Sequence, residues 1–127
     1  MPAYILVFPQ EIWAEMAPDP TVLDPYTDQI EATLAAYGGR YLRLRRDPIE
    51  VLEGDWQPHL GMAMLEFPSM EQARTWYHSA AYAPLREFRR AHARSNLILV
   101  DGMPPGTTLR SVALAEVEHV RAQWGTP

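Results

Sequence analysis

Tyr37-Gly38-Gly39-Arg40-Tyr41-Leu42-Arg43-Leu44-Arg45-Arg46 is followed by Pro48-Ile49-Glu50-Val51-Leu52-Glu53-Gly54-Asp55-Trp56 and then by Gly61-Met62-Ala63-Met64-Leu65-Glu66-Phe67. The fold turns on this stretch. It reads as a helix end, a glycine turn, a strand, an excursion and a second strand. Gly38-Gly39 ends the helix because glycine accepts the left-handed backbone of a C-terminal cap. Residues 40–46 then alternate, with Leu42 and Leu44 on one face and Tyr41, Arg43 and Arg45 on the other. Asp47-Pro48 breaks this strand, Ile49 to Leu52 is a short extension, and Glu53-Gly54-Asp55 is a turn. His59 to Phe67 is the next strand. Leu60, Met62, Met64 and Glu66 share one of its faces, and Gly61, Ala63, Leu65 and Phe67 the other.

Upstream, Ala3 to Phe8 is a strand rich in β-branched and aromatic residues, stopped by Pro9. Gln10 to Pro18 reads as a linker, a surface loop or a lid, with a helical turn near Ile12–Met16. A helix starts at Pro20 or Pro25, since Asp19-Pro20 and Asp24-Pro25 are both cap and first-turn pairs. It runs to Tyr37, with Val22, Leu23, Tyr26, Ile30, Leu34 and Tyr37 in one apolar stripe. Downstream, Pro68-Ser69 opens a second helix, and Ser69 with Gln72 predicts a capping box. Pro84 restarts the helix, and Leu85, Phe88 and His92 continue its apolar side, flanked by Arg86, Arg89, Arg90 and Arg94. Asn96 to Val100 is the fourth strand.

Strand, helix, strand, strand, helix, strand is the order of the ferredoxin-like unit, an α+β fold with an antiparallel sheet. It occupies residues 1–102. Residues 103–127 form an extension: a Pro/Gly linker to Gly106, then a helix capped by Thr107 or Thr108. Leu109, Ala113, Val117, Val120 and Trp124 lie along one side of that helix, which stops at Gly125. The unit has helices on one sheet face only, yet its first and third strands are apolar on both. The open face is therefore covered by the sheet of a second copy, in a homodimer, or by the C-terminal helix.

The composition narrows the functional classes. The 127 residues suit one domain. There is no cysteine, which removes disulfides and thiolate chemistry and suits a cytoplasmic protein. A net charge of −5 argues against nucleic acid as a partner. All basic residues are arginine, so Schiff-base lysine chemistry is absent. No run is long enough for a membrane helix, and Met1-Pro2-Ala3 does not open a signal peptide. His59, His78, His92 and His119 show no ligand spacing, so no metal and no cofactor is expected.

Several residue types still point to a pocket. Glu66 lies inside a strand between Leu65 and Phe67. There it either pairs with an arginine of a neighbouring strand, Arg43 or Arg45, or acts as a general base of raised pKa. His78, beside Tyr77, is the other proton-transfer candidate. Arg40 or Arg86 would hold a substrate carboxylate bidentately. Tyr26, Tyr41, Trp76 and Tyr82 are core or would contact the body of a ligand. Trp56, after a turn, reads as a rim or dimer-contact residue.

Five segments carry a resemblance to a known family: Ala-Tyr-Gly-Gly-Arg-Tyr-Leu at 36–42, Glu-Val-Leu-Glu-Gly-Asp-Trp at 50–56, Leu-Glu-Phe-Pro-Ser at 65–69, Ala-Arg-Thr-Trp-Tyr at 73–77 and Tyr-Ala-Pro-Leu-Arg at 82–86. In this order they resemble the DUF1330 family over residues 2–102. The resemblance implies a dimeric α/β-barrel, two ferredoxin-like sheets packed face to face. That family has no settled activity. Its superfamily includes cofactor-independent monooxygenases, haem-degrading enzymes and muconolactone-type isomerases. The expectation is a small-molecule-binding protein acting on a small organic acid by cofactor-independent oxygenation or isomerisation. The alternative is a non-catalytic dimeric binding or interaction module.

Overall fold

Alternation along the first strand places Ala3, Ile5 and Pro9 in the core and leaves Tyr4, Leu6 and Phe8 half-buried on the opposite face. The computed structural model describes residues 1–13 and 29–125. The strand β1 (Ala3–Ile12) is followed by the helix α1 (Ile30–Ala35) and the strands β2 (Arg40–Arg43) and β3 (Ala63–Phe67). The helices α2 (Met70–Tyr77) and α3 (Ala83–His92), the strand β4 (Ala93–Asp101) and the helix α4 (Leu109–Trp124) complete the chain. The strands form one sheet in the order β2-β3-β1-β4, with every neighbour antiparallel. The result is the expected α+β, ferredoxin-like arrangement.

The core lies between one sheet face and the helices. Ile5, Leu65 and Phe67 meet Ile30 and Leu34 of α1, Ala73 and Trp76 of α2, Tyr82, and Leu85 of α3. The helix spacing of these residues puts them on one side of each helix, so their burial and not local propensity holds the helices in place.

The glycine turn behaves as its chemistry requires. Gly38 has φ +76°, and the amides of Gly38 and Gly39 donate to the carbonyls of Ala35 and Leu34, closing α1. A Cβ on Gly39 would stand 2.5 Å from the Phe67 ring, so only glycine lets β2 start this close to the core.

Other boundaries differ from the sequence expectation, each for a local reason. β1 does not stop at Pro9 but continues to Ile12, through a register shift between Pro9 and Glu11. Val7 is the last residue paired with β3, so Pro9 has a strand partner on one side only, where a missing N–H is tolerated. The same pairing lengthens β4 at its start, from the expected Asn96 back to Ala93. Ile12 is thus strand and not helical turn. The rest of the expected linker and helix start, with Pro20, Val22, Leu23, Pro25 and Tyr26, lies outside the described residues.

β2 ends at Arg43, short of Arg46. The Asp47 carboxylate accepts the Leu44 amide at 2.9 Å, and the Asp47 amide donates to the Leu44 carbonyl, so a turn replaces the strand. Ile49 to Leu52 adds no strand. β3 starts at Ala63 instead of His59, because the Gly61 amide donates to the Pro58 carbonyl at 2.7 Å and closes a turn there. The Ser69 hydroxyl caps α2 by accepting the Gln72 amide, but the capping box is half made. The Gln72 side-chain amide donates instead to the Tyr37 carbonyl, tying α2 to the end of α1.

α4 carries a complete capping box between Thr108 and Ser111, yet every described side chain along it is exposed, Trp124 by 81%. It does not cover the open sheet face. Truncation after Gly102 retains the bond from the Gly102 amide to the Pro2 carbonyl. We expect that truncation to move the thermal midpoint by no more than about 4 °C, the shift that ~0.5 kcal/mol produces in a domain of this size. A loss beyond about 10 °C in a thermal melt would show that the helix is held by contacts with the remainder of the chain or with another copy.

Candidate functional site

Between the sheet and the helices the core is incompletely filled. A cavity of about 110 Å³ is bounded by Ile5, Val7 and Pro9 of β1, Tyr41 of β2, Ala63 and Leu65 of β3 and Leu97 of β4. Trp76 of α2, Tyr82 at the start of α3, and two arginines, Arg45 and Arg89, complete its described wall. Aliphatic and aromatic side chains make most of this wall, so the two guanidinium groups are its dominant polar features.

The aromatic side is rigid. Trp76 stacks on Tyr82 with ring centroids 4.0 Å apart and lies 5.4 Å from the Phe67 ring. Its indole N–H donates to Thr33 Oγ1 at 3.1 Å, and that hydroxyl donates to the Ile30 carbonyl at 2.8 Å. A buried indole whose N–H is satisfied is fixed in one orientation.

The two cations are held differently. Arg45 Nη1 donates to the Leu60 carbonyl at 3.0 Å. Burial, and after it the neighbouring Arg46, hold the Arg45 guanidinium below its ordinary pKa. A Cβ on Gly61, which has φ +80°, would stand 2.0 Å from the Arg45 carbonyl oxygen, so the glycine turn also seats Arg45. Arg89 Nε is buried and has no hydrogen-bond partner among the described residues. A buried charged donor without an acceptor is costly, and native structures rarely keep one without use.

The residues singled out from the sequence fall into separate places. Tyr41, Trp76 and Tyr82 line the cavity. Tyr26 lies outside the described residues. Arg40 and Glu66 are opposite each other on β2 and β3, on the other face of the sheet. Arg40 donates to Glu66 Oε1 through Nη2 at 3.0 Å and Nε at 3.1 Å, and both groups are partly exposed. The strand pairing foreseen for Glu66 is present, but with Arg40 and not with Arg43 or Arg45. The register of β2 on β3 sets Arg40 opposite Glu66, ahead of a register shift between Tyr41 and Arg43. That shift turns Arg43 to oppose Met64, where it donates to the carbonyls of Met62, Pro48 and Asp47, and separates it from the face of Tyr41.

Arg86 is committed to α2, with Nη1 on the Tyr77 carbonyl at 2.7 Å and its guanidinium 5.3 Å from the Tyr77 ring centre. His78 is exposed, edge-on to Tyr77 at 5.1 Å. It borders a separate groove of about 280 Å³ between α2 and β4, which shares Ile5 and Leu97 with the cavity. His92 Nδ1 lies 2.9 Å from the Phe88 carbonyl and donates to it. Among the described residues no group of three His, Asp or Glu side chains comes together as a metal site. No described helix is long and apolar enough to cross a membrane.

The sequence offered Arg45 only as a partner for Glu66 and Arg89 only as a flanking arginine, although a signal for the cavity existed for each. Arg45 shares strand alternation with Tyr41. Tyr82, Leu85 and Arg89 recur at helical spacing, which puts a cation on the buried side of α3. Reading the arginines of α3 together as a solvated flank hid that one.

Solved structures support the same fold. RPA0582, a protein of unknown function from Rhodopseudomonas palustris, is 17% identical, covers 82% of this chain and 84% of its own, and gives a TM-score of 0.57. The methylated form of RPA0582 is 16% identical over 84% of each chain, with a TM-score of 0.55. A structure described as an antibiotic biosynthesis monooxygenase is 20% identical over 82% of this chain and 100% of its own, with a TM-score of 0.50. Identities this low establish shared architecture and leave the chemistry of each site to its own residues. No curated protein matches the chain significantly. The family model for the domain of unknown function DUF1330 matches residues 13–103, which is most of the chain, including the glycine turn, Arg45, the Trp76–Tyr82 stack and Arg89. The chain therefore belongs to the DUF1330 family.

Proposed function

We propose that this protein binds a small organic acid in the cavity between its sheet and its helices, with the acid held by Arg45 and Arg89 and the body against Tyr41, Trp76 and Tyr82. The observation that carries this reading is the buried, unpartnered Nε of Arg89 in a wall that is otherwise mostly apolar. A carboxylate would supply the missing acceptor, and a charge-assisted bond in so dry a setting is a strong one. Size sets the rest. An apolar cavity of ~150 Å³ accepts benzene, so about 110 Å³ limits the enclosed body to a single ring at most or a short branched chain.

The test is calorimetric titration with benzoate and with its neutral analogue benzamide. Benzoate is expected to bind one per chain, at least about tenfold tighter than benzamide, a difference of ~1.4 kcal/mol. Arg89→Met is expected to abolish that preference. Equal binding of the two probes, or binding of neither, would overturn the reading.

Cofactor-independent oxygenation or isomerisation of the bound acid is the catalytic form of this proposal, and the fold shared with an antibiotic biosynthesis monooxygenase favours it. Two guanidinium groups beside the acid would stabilise an enolate formed next to it. Non-catalytic binding is the second reading. It is favoured by the described cavity wall, which carries neither a carboxylate nor an imidazole to take a proton. Oxygen uptake with supplied acids separates the two.

The open sheet face supports a homodimer as the assembly in which the pocket works. Leu6, Met64 and Ile98 form one row across it, and Arg40, Glu66, Tyr4 and Val100 form the next. Trp56 packs edge-on against Phe8 at 5.4 Å on the same side, at the rim where a partner sheet would end.

A further inference from the structure

Beside the cavity, and separated from it by Arg89 and Leu97, lies a wider cleft of about 400 Å³ at the junction of α3 and β4. Arg89, Arg90 and Arg94 line it, with Ser95 and Trp13. We propose that this cleft is a second oxyanion subsite, so that the ligand is a dianion: one acid in the cavity at Arg45 and Arg89, the other in the cleft at Arg90 and Arg94. The inference rests on the cavity reading and extends it to the class of ligand.

Three observations carry it. The first is charge. The chain is acidic overall, with a net charge of −5, yet four arginines fall within nine residues here, from Arg86 to Arg94. The second is the state of these cations. Arg90 reaches Glu87 at 3.3 Å and the Tyr77 hydroxyl at 3.4 Å, and Arg94 reaches Glu11 at 3.2 Å. Both ion pairs are more than half exposed, and such pairs hold weakly enough for a bound oxyanion to recruit the arginines. Arg89, which lines both spaces, has no acceptor on its buried Nε among the described residues. The third is continuity. Arg89 and Leu97 border both spaces, so a single residue layer lies between them, and a ligand that reaches both would turn the Arg89 side chain aside. The Ser95 hydroxyl adds a neutral donor to the cleft.

Carboxylate and phosphate groups share this chemistry, and the probes distinguish them. Titration compares benzoate with 4-(carboxymethyl)benzoate and 4-(phosphonomethyl)benzoate at low salt. At least one dianion is expected to bind tenfold or more tighter than benzoate, and the better of the two identifies the second group. In the double variant Arg90→Gln, Arg94→Gln that advantage is expected to vanish while benzoate affinity changes less than twofold. Both side chains are surface-exposed, so the variant keeps its fold, which circular dichroism verifies. Dianions no tighter than benzoate, or an advantage that survives the double variant, would overturn the second subsite alone. Failure of all three probes would overturn the cavity reading with it.

Discussion

Replacing Trp76 by alanine is expected to remove about 3–5 kcal/mol of unfolding free energy, the range for a buried tryptophan or phenylalanine cut back to a methyl group. Trp76 is 1% exposed and bonds with three parts of the core: it stacks on Tyr82, touches Phe67 and donates to Thr33. Its loss deletes the rigid wall of the cavity and joins the resulting void to it. A domain of this kind has ~5–15 kcal/mol in total, so the variant sits near the edge of folding. Trp76→Phe keeps most of the packing but leaves the Thr33 hydroxyl without its indole donor, and is expected to cost only about 1–2 kcal/mol. Urea denaturation followed by circular dichroism measures both. An alanine variant less than ~1 kcal/mol below the parent would mean that the side chain does not organise the core as described.

A charge placed on the open sheet face is the other large effect. In Leu6→Glu combined with Ile98→Glu, two carboxylates stand opposite each other in the middle row of that face. Within one chain this face is uncovered, Ile98 being 47% exposed, so the monomer should tolerate the change. Between two packed sheets the same carboxylates would be buried without partners, at several kcal/mol per ion. Native mass spectrometry is expected to show the parent at twice the chain mass of 14.5 kDa and the variant at that mass. A parent that is monomeric at micromolar concentration would refute face-to-face pairing. A variant that stays dimeric would move the interface elsewhere, with the exposed Leu109, Val117 and Trp124 of α4 the next apolar surface to consider.

The elements most legible in the sequence were those set by contacts a few residues long. Gly38-Gly39 closes α1, Ser69 caps α2 and Thr108 caps α4, each through bonds spanning five residues or fewer, and Pro84 stands in the first turn of α3. The two-residue period of β3 also placed Leu65 and Phe67 on the core side and Met64 and Glu66 on the other. Strand ends were less legible. The prolongation of β1 past Pro9 depends on β4, some eighty residues away, supplying partners for Glu11 and Ile12. No periodicity within residues 9–12 announces that.

The site divides along the same line. Residue types alone show which side chains have chemistry to offer, and alternation shows the face on which most of them stand. Together they also show that one sheet face would lack cover from the ferredoxin-like unit. Which arginine meets which partner is set by the packed fold. The register of β2 on β3 sets Arg40 opposite Glu66, the extra residue at the Tyr41–Arg43 shift sends Arg43 to backbone carbonyls, and Arg45 is left beside the cavity. The docking of α3 on the sheet brings Arg89 to the same cavity from forty-four positions along the chain. Such meetings depend on strand register and helix packing. Both are settled by burial summed over the whole core, a long-range quantity that no short stretch of sequence contains.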